Sequence, residues 1–503
     1  MEINQLEDLD KLELKIRQKI SKFRLGDVLY SLYGTKDRLP PFITAGIALF
    51  AVRFSPPSLV TQNLSLVNIQ PIIKLVTAYL LADPITFDKE IHDNFINSNP
   101  VFLILRVVCS QFPFDVSRFS QFSRPMLLYY DIPNSLAGQK GISKFELQQE
   151  FENINGVSIP EFISIGFLAS AFASNNFTFS LNLFEQMRSR GINLPDNKVI
   201  SHVINQLSGT QIKLNDLCRQ RKNSDRRFRA YDFNPLREHP LILPYRGRGF
   251  VKSGQDFICA PVPGLIDERI SIGIYYQLFN NFKQKFADYF GYILEEYLKI
   301  LLNNSITSEV FVDIRNLSIN NNIKSPDYAI IDGSTALIFE CKATKFKLPA
   351  QTIASEEAVN DSLKQVKKGL IQLDTFIKAC KSKLPGLHQF HHCTIFKPIL
   401  VSLEPLYLIN SVDFRNHVNE LLKNESIVNL DWRIFSIGEL EVLQPHLVQG
   451  INLSQVIQNL ENNTFNDVFK QLCSKTNKSY KDSFLYPKQE ELYQRLGIPD
   501  RSE

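Results

Sequence analysis

The sequence lacks the features that mark secreted, zinc-ribbon and membrane-spanning proteins. Its seven cysteines are dispersed and form no Cys-x-x-Cys pair, which argues against a zinc ribbon or a disulfide framework and favours free thiols. The longest apolar run, residues 42–52, is too short to cross a bilayer. Residues 1–8 are acidic and lack the apolar core of an export signal. We therefore expect a cytoplasmic protein without membrane contacts.

The chain also lacks a strong overall charge. Its formal net charge is only +4 over 503 residues, so no field of the whole protein attracts nucleic acid, and any such attraction must be local. With 44% hydrophobic and 21% charged residues, the composition is close to that of globular proteins and is sufficient for a sizeable core. The length favours about three domains.

Charged residues interrupt two apolar runs that read as a β-hairpin. Pro326-Asp327 opens the first run, Asp332-Gly333 indicates a tight turn, and Glu340-Cys341-Lys342 ends the second run. Residues two apart on a strand share a face, so Glu340 and Lys342 project together, with Asp327 at the start of the paired strand. Two carboxylates and an ammonium group predict a divalent-cation site with a positive charge beside it.

Spacing alone does not make this site specific. The triplets at residues 13–15 and 196–198 have the same acid-x-lysine form, but they fall in a helical pattern and in a polar turn. The alternative for Glu340 and Lys342 is an ordinary ion pair on the wet face of a two-stranded ribbon. Cys341 faces the other side of the strand, where we expect it to pack.

The pattern Pro326-Asp327 followed by Glu340-x-Lys342 resembles the PD-(D/E)xK nuclease superfamily, which has the fold of the type II restriction endonucleases. The resemblance implies that Asp327 and Glu340 hold Mg²⁺ or Mn²⁺. It also implies that Lys342 positions or activates the attacking water. Intact acids and lysine argue against an inactive core.

The same resemblance implies further site residues on two helices. The first core helix often carries a glutamate that completes the metal site, and Glu295 fits that position best, with Glu296 as the reserve choice. On the helix that follows the hairpin, Gln365 or Gln372 is expected to orient phosphate or water.

The predicted elements around the motif follow the order of that family's core. They are a helix over 279–303, a strand over 309–314, the two hairpin strands, a helix from 362 to about 381 and a strand over 393–403. The resemblance covers residues 275–405, about a quarter of the chain. The predicted fold is an α/β restriction-endonuclease-like core (αβββαβ) preceded by a large all-α N-terminal domain.

We predict four segments. They are a helical regulatory or recognition domain (1–215), a basic, proline-punctuated connector (216–270), the nuclease domain (271–445) and a helical C-terminal tail (446–503). Capping boxes at Ser143/Glu146 and Ser158/Glu161 predict consecutive helices. Residues 162–172 are too apolar to read base edges, so this pair predicts a buried core helix and not a DNA-binding helix-turn-helix.

Two further clusters leave alternatives open. Six of the eleven residues 219–229 are basic, and Arg226, Arg227 and Arg229 flank Phe228, a pattern that suits phosphate contacts and stacking but equally a solvated helix end. His388, His391, His392 and Cys393 are able in principle to bind a soft metal, although a polar loop is the more ordinary interpretation.

These patterns predict a metal-dependent nuclease that acts on nucleic acid, DNA more than RNA. A long non-nuclease module suits a regulated or targeted endonuclease, and bacterial antiviral defence against foreign DNA fits by analogy alone. The alternative is a non-catalytic nucleic-acid-binding or scaffold protein on a nuclease-like fold. In either case the helical domain offers surfaces for a second copy of the chain or a partner protein.

Overall fold

A computed structural model of the chain shows a mixed α/β protein in which a large helical region precedes a five-stranded sheet. It describes residues 5–35, 38–56, 66–81, 100–110, 118–139, 145–221, 235–245, 257–317, 324–352, 355–461, 463–476 and 480–498.

Helices dominate the N-terminal region, as predicted. They are α1 (Gln5–Ile20), α2 (Leu25–Tyr33), α3 (Pro41–Phe54), α4 (Leu66–Leu81), α5 (Pro100–Ser110), α6 (Arg118–Met126), α7 (Ile132–Leu136), α8 (Leu147–Asn155), α9 (Ile159–Asn175), α10 (Asn182–Ser189), α11 (Asn197–Leu207) and α12 (Gln211–Arg221). A π-helical turn, Leu127–Asp131, joins α6 to α7.

The prediction of an all-α N-terminal domain was wrong in one respect. Strands β1 (Thr178–Phe179) and β2 (Ser208–Gly209) join β3 (Leu241–Tyr245) and β4 (Phe257–Cys259) in a small sheet of order β1-β4-β3-β2. Two-residue strands carry no alternation of apolar and polar residues that a sequence pattern could reveal. The sheet ties part of the predicted connector to the helical region.

The helical region has its own apolar core, in which α1 packs on α4 with Leu9, Ile16 and Ile20 buried. The Ser158/Glu161 capping box is present and opens α9, which is a buried core helix as predicted. Ser143 lies outside the described residues, and the helix that follows, α8, begins only at Leu147.

The second half of the described chain contains the larger sheet. Its elements are α13 (Gly264–Ile270), α14 (Ile272–Asn303), β5 (Val310–Asp313), β6 (Tyr328–Asp332), β7 (Thr335–Lys342), α15 (Leu348–Thr352), α16 (Glu356–Lys381), β8 (Ile395–Ser402), α17 (Val412–Lys423) and β9 (Arg433–Ser436). Four helices follow, namely α18 (Ile437–Leu447), α19 (Leu453–Asn459), α20 (Phe465–Lys475) and α21 (Tyr486–Arg495).

The sheet has the order β5-β6-β7-β8-β9. The first three strands are antiparallel neighbours, whereas β8 and β9 run parallel to β7. All the elements predicted around the motif are confirmed, with boundaries shifted by a few residues. The largest corrections concern the starts of α14 and α16, which lie at Ile272 and Glu356. The helix α16 begins at Glu356 because the hydroxyl of Ser355 caps the helix by accepting from the backbone N–H of Ala358.

The two faces of β7 bury into different cores. Leu337, Phe339 and Cys341 pack toward α14, whereas Ala336 and Ile338 pack toward α16. Cys341 is therefore a packing residue, as expected. Because side chains alternate along a strand, Glu340 and Lys342 belong to the α16 side. A carboxylate thus occupies a position where the pattern calls for an apolar residue.

The C-terminal helices pack into the core that contains α14, and they are not a loose tail. The predicted domain boundaries stay predictions. Across the described ranges no single helix is long and apolar enough to cross a membrane, and one bent pair, α8 with α9, passes that test by length and composition only.

Candidate active site

The hairpin that holds the motif forms as predicted. Asp332 pairs with Thr335 across a turn made by Gly333 and Ser334, and Gly333 has a φ of 56°. This left-handed conformation is easy for glycine and strained for most other residues. The turn fixes the register of β6 and β7, which brings Asp327 opposite the end of β7.

Asp327 is held in place by the backbone. Its amide donates to the carbonyl of Phe339 at 3.0 Å, and its Oδ2 accepts from the amide of Cys341 at 2.7 Å. The residue is only 7% exposed. Its carboxylate therefore lies beside the backbone that separates Glu340 from Lys342. Its other oxygen, Oδ1, accepts no hydrogen bond from the residues that the structure describes.

Glu340 is 1% exposed, and both of its oxygens have partners. The ammonium group of Lys342 donates to Oε1, and Gln372 of α16 donates to Oε2 at 2.8 Å. Gln372 also donates to the carbonyl of Ser325 at 2.6 Å. One glutamine therefore connects the buried carboxylate to the segment that precedes Asp327.

A glycine lets α16 approach this pair closely. A Cβ placed on Gly369 would lie 3.5 Å from Cγ of Glu340, 3.6 Å from Cγ of Lys342 and only 2.5 Å from Cδ1 of Leu400. Sequence reasoning missed Gly369. Glycine is unfavourable inside a helix, so a glycine one turn before Gln372 indicates a close contact with a neighbouring element.

Glu295, and not Glu296, reaches the motif electrostatically. Nη1 of Arg315 donates to Oε2 of Glu295 at 3.2 Å. Glu296 lies 3.8 Å from the ammonium of Lys299 and 3.9 Å from Nη2 of Arg315. Besides burial, the charge of Glu295 raises the pKa of Asp327 and of Glu340. Sequence reasoning did not find Arg315, which no motif contains.

The acids of the site repel one another. Burial raises the pKa of Asp327 well above its usual range, and the charges of Glu340 and Glu295 raise it further. Burial raises the pKa of Glu340 to about 7, although Lys342 opposes the shift. Burial would lower the pKa of Lys342, but Glu340 outweighs this effect and the pKa rises. Repulsion between buried carboxylates and shifted pKa values are typical of functional sites, and a bound cation would relieve the repulsion.

Asp327 and Glu340 form a pair, not a complete metal cage. In the described part of the chain, no three or more His, Cys, Asp or Glu side chains are grouped so as to hold a metal ion. Mg²⁺ keeps several waters and is often bound by one or two carboxylates plus substrate phosphate. Two carboxylates are a ligand set that Mg²⁺ or Mn²⁺ accepts, and in this structure Glu295 accepts from Arg315 and forms no three-acid group with them.

Among the residues that the structure describes, no contact connects the other predicted site residues to this pair. Gln365 is exposed on α16, and no contact links it to the acids in the described structure. Arg226, Arg227 and Arg229 fall outside the described residues. The ring centroids of His388 and His391 are 5.3 Å apart, with 75° between the ring planes, and these residues belong to no metal-binding group among the described residues.

Glu340 should make the metal-free protein less stable as the pH rises. Its pKa moves from 4.5 to about 7 on folding. The stability from this protonated group is therefore present below about pH 4.5 and is lost as the pH approaches about 7. With a chelator present, the free energy of unfolding of both proteins is compared over this pH range. The decrease for wild type should exceed the decrease for Glu340→Gln by on the order of 2 to 3 kcal/mol. Urea unfolding at several pH values measures this difference, and parallel curves for the two proteins would contradict it.

Comparison with known proteins assigns this chain to no family. No family model and no curated protein matches this sequence. The function must therefore be argued from the geometry of the site.

Proposed function

We propose that this protein is a metal-dependent nuclease of the PD-(D/E)xK type that hydrolyses phosphodiester bonds of nucleic acid, with DNA as the favoured substrate. The observation that carries the proposal is the meeting of Asp327, Glu340 and Lys342 at one end of β7. The succession of α14, three antiparallel strands, α16 and a parallel strand supports a restriction-endonuclease-like core around them.

The residues of the site have separable roles in such a reaction. Asp327 and Glu340 would hold Mg²⁺ or Mn²⁺, which when bound activates a water and stabilises charge on phosphate oxygens. The amide of Cys341 fixes the orientation of Asp327, and Gln372 fixes that of Glu340. Lys342 keeps an ammonium charge beside the reacting phosphate, where it offsets developing negative charge.

Burial strengthens these interactions. Glu340 and Asp327 are 1% and 7% exposed, so little water screens their charges, and electrostatic interactions in such a setting exceed those at a surface. Asp327 Oδ1 accepts no hydrogen bond from described residues and so remains available for a ligand. The side chains are therefore arranged before any substrate binds, which is what electrostatic catalysis requires.

Lys342→Met should lower turnover by about a hundredfold to a thousandfold, because it removes one group that stabilises charge in the transition state. Substrate affinity should change only severalfold, since an interaction made mainly in the transition state affects turnover more than binding. Single-turnover cleavage and a binding titration measure the two quantities. Lys364→Met is the matched control, because Lys364 is an exposed lysine of α16 that pairs with Asp361. Lost affinity with intact turnover would instead make Lys342 a phosphate anchor.

The proposal is tested by incubating the purified protein with supercoiled plasmid, linear double-stranded DNA, single-stranded DNA and RNA. Each substrate is tested with Mg²⁺, with Mn²⁺ and with EDTA. We expect cleavage that requires the metal and that is faster on DNA than on RNA. A folded protein that cleaves none of these polymers with either metal would contradict the proposal. Metal-dependent binding without cleavage would favour a non-catalytic nucleic-acid-binding protein.

A further inference from the structure

Arg315 connects the candidate site to the edge of the sheet. It lies in a short turn, Ile314–Asn316, directly after β5. Its Nε and Nη2 donate to the two carboxylate oxygens of Asp313 at 3.0 Å each. Its Nη1 donates to Oε2 of Glu295 on α14 at 3.2 Å. One guanidinium group thus bridges two carboxylates from two different elements.

Two contacts fix this arrangement. The guanidinium carbon of Arg315 lies 4.7 Å from the ring centroid of Tyr328, the first residue of β6. The hydroxyl of Tyr328 donates to the backbone carbonyl of Glu295 at 3.0 Å. Glu295 is therefore attached through its side chain and its main chain to the part of the sheet that begins next to Asp327.

Only one oxygen of Glu295 is used in this way. Oε2 accepts from Arg315, and Oε1 accepts no hydrogen bond from the described residues. The helix that carries Glu295 contacts the motif strand, because the Sγ of Cys341 donates to the carbonyl of the preceding residue, Leu294, across 3.9 Å. In addition to burial, the charge of Glu295 raises the pKa of both Asp327 and Glu340. Yet the three do not form a ready ligand set. A carboxylate near a metal but outside its ligand set acts through hydrogen bonds to metal-bound water.

We propose that Arg315 is a positioning residue for the nuclease reaction: it holds one oxygen of Glu295 and leaves the other for the waters that a divalent cation at Asp327 and Glu340 retains. This inference rests on the proposed function. An arginine is required because its planar fork reaches two carboxylates at fixed angles, whereas a lysine offers one point charge.

Neighbouring residues of the same charge network provide matched controls. Lys299 pairs with Glu296 at 3.8 Å and with Asp313 at 3.6 Å, and the structure shows no ion pair between it and Glu295. Glu296 is adjacent to Glu295 on the same helix and contacts the same arginine at 3.9 Å. Lys299→Met and Glu296→Gln therefore perturb the network without removing the contact between Arg315 and Glu295.

The test is a double-mutant cycle with Arg315→Met, Glu295→Gln and their combination. Calorimetric titration gives the Mn²⁺ affinity, and single-turnover cleavage of plasmid gives the rate. Each single variant should weaken Mn²⁺ binding and turnover by about 10- to 100-fold, the scale for a group that orients metal-bound ligands. Because both residues act through the same contact, the double variant should lose no more Mn²⁺ affinity and turnover than the more impaired of the two single variants. The two controls should stay within about twofold of wild type, as expected for partly exposed pairs.

Three results would overturn the inference. These are wild-type values for Arg315→Met, losses that multiply in the double variant, and an equal loss in Lys299→Met. If Arg315→Met does not unfold cooperatively, Arg315→Lys replaces it. That variant should lose about tenfold because one ammonium does not bridge both carboxylates, and wild-type values for it would also overturn the inference. A wild-type protein that neither binds Mn²⁺ nor cleaves contradicts the proposed function itself, whereas an active wild type with unaffected Arg315 variants contradicts only this role.

Discussion

Asp327→Asn and Glu340→Gln should each lower metal-dependent cleavage by at least about a hundredfold, the scale for removing one group that stabilises transition-state charge. Each substitution replaces a ligand that Mg²⁺ prefers with a neutral amide of the same shape. Asp327→Asn should fold normally, because the amide oxygen still accepts from the amide of Cys341. In a chelator at neutral pH it should be as stable as wild type or more stable by up to about 2 kcal/mol, since a repelled buried charge is lost.

The measurement pairs initial cleavage rates with urea unfolding curves for each variant. Asp361→Asn is the control, because Asp361 is an acid of α16 that pairs with Lys347 and Lys364 away from the motif. Its cleavage rate should match that of wild type. Equal rates for wild type and both acid variants would remove the basis of the nuclease proposal. Loss of cleavage accompanied by unfolding would assign the acids a structural role.

Glu441→Gln should lower the free energy of unfolding by about 3 to 5 kcal/mol, the cost of breaking a buried ion pair. Glu441 lies on α18 and is 4% exposed. It accepts from Arg124 of α6, with 2.6 Å between Nε and Oε1, and from the hydroxyl of Tyr297 on α14. The substitution leaves the guanidinium of Arg124 without its charged partner in an almost dry setting.

This pair joins α6 of the helical region to α18, and the hydroxyl of Tyr297 connects it to α14, the helix that carries Glu295. Urea unfolding followed by circular dichroism measures the stability. Glu420→Gln is the control, because Glu420 forms an exposed pair with Lys423, and it should change stability by no more than about 0.5 kcal/mol. If Glu441→Gln lowers the free energy of unfolding by less than about 1 kcal/mol, the scale of a surface pair, the buried ion pair does not stabilise the protein as described.

The hairpin and its surroundings could be predicted because their signals are local. Alternation along residues 336–342 sets which side chains share a face, and Asp332-Gly333 marks the turn. Helix and strand order followed from apolar periodicity, and the structure confirms it. The start of α16 differs from the prediction because Ser355 caps this helix.

The partners of the motif could not be predicted, because they depend on how elements pack. Gln365 and Gln372 are seven residues apart on one face of a helix, and only the docking of α16 decides that Gln372 reaches Glu340. Glu295 and Glu296 differ by about 100° around α14, and only the packing of that helix chooses between them. Arg315 acts across two elements, so its role has no sequence spacing that would reveal it.

The central claim is that Asp327 and Glu340 bind the metal that cleaves a phosphodiester bond. The most direct measurement is the anomalous diffraction of Mn²⁺ in crystals of the protein with a short DNA duplex. The account predicts a Mn²⁺ peak bonded to oxygens of Asp327, Glu340 and a DNA phosphate, absent in crystals of Asp327→Asn. Mn²⁺ bound elsewhere, for example at His388, His391 and His392, with none at the two acids while the wild-type protein still cleaves DNA, would contradict it.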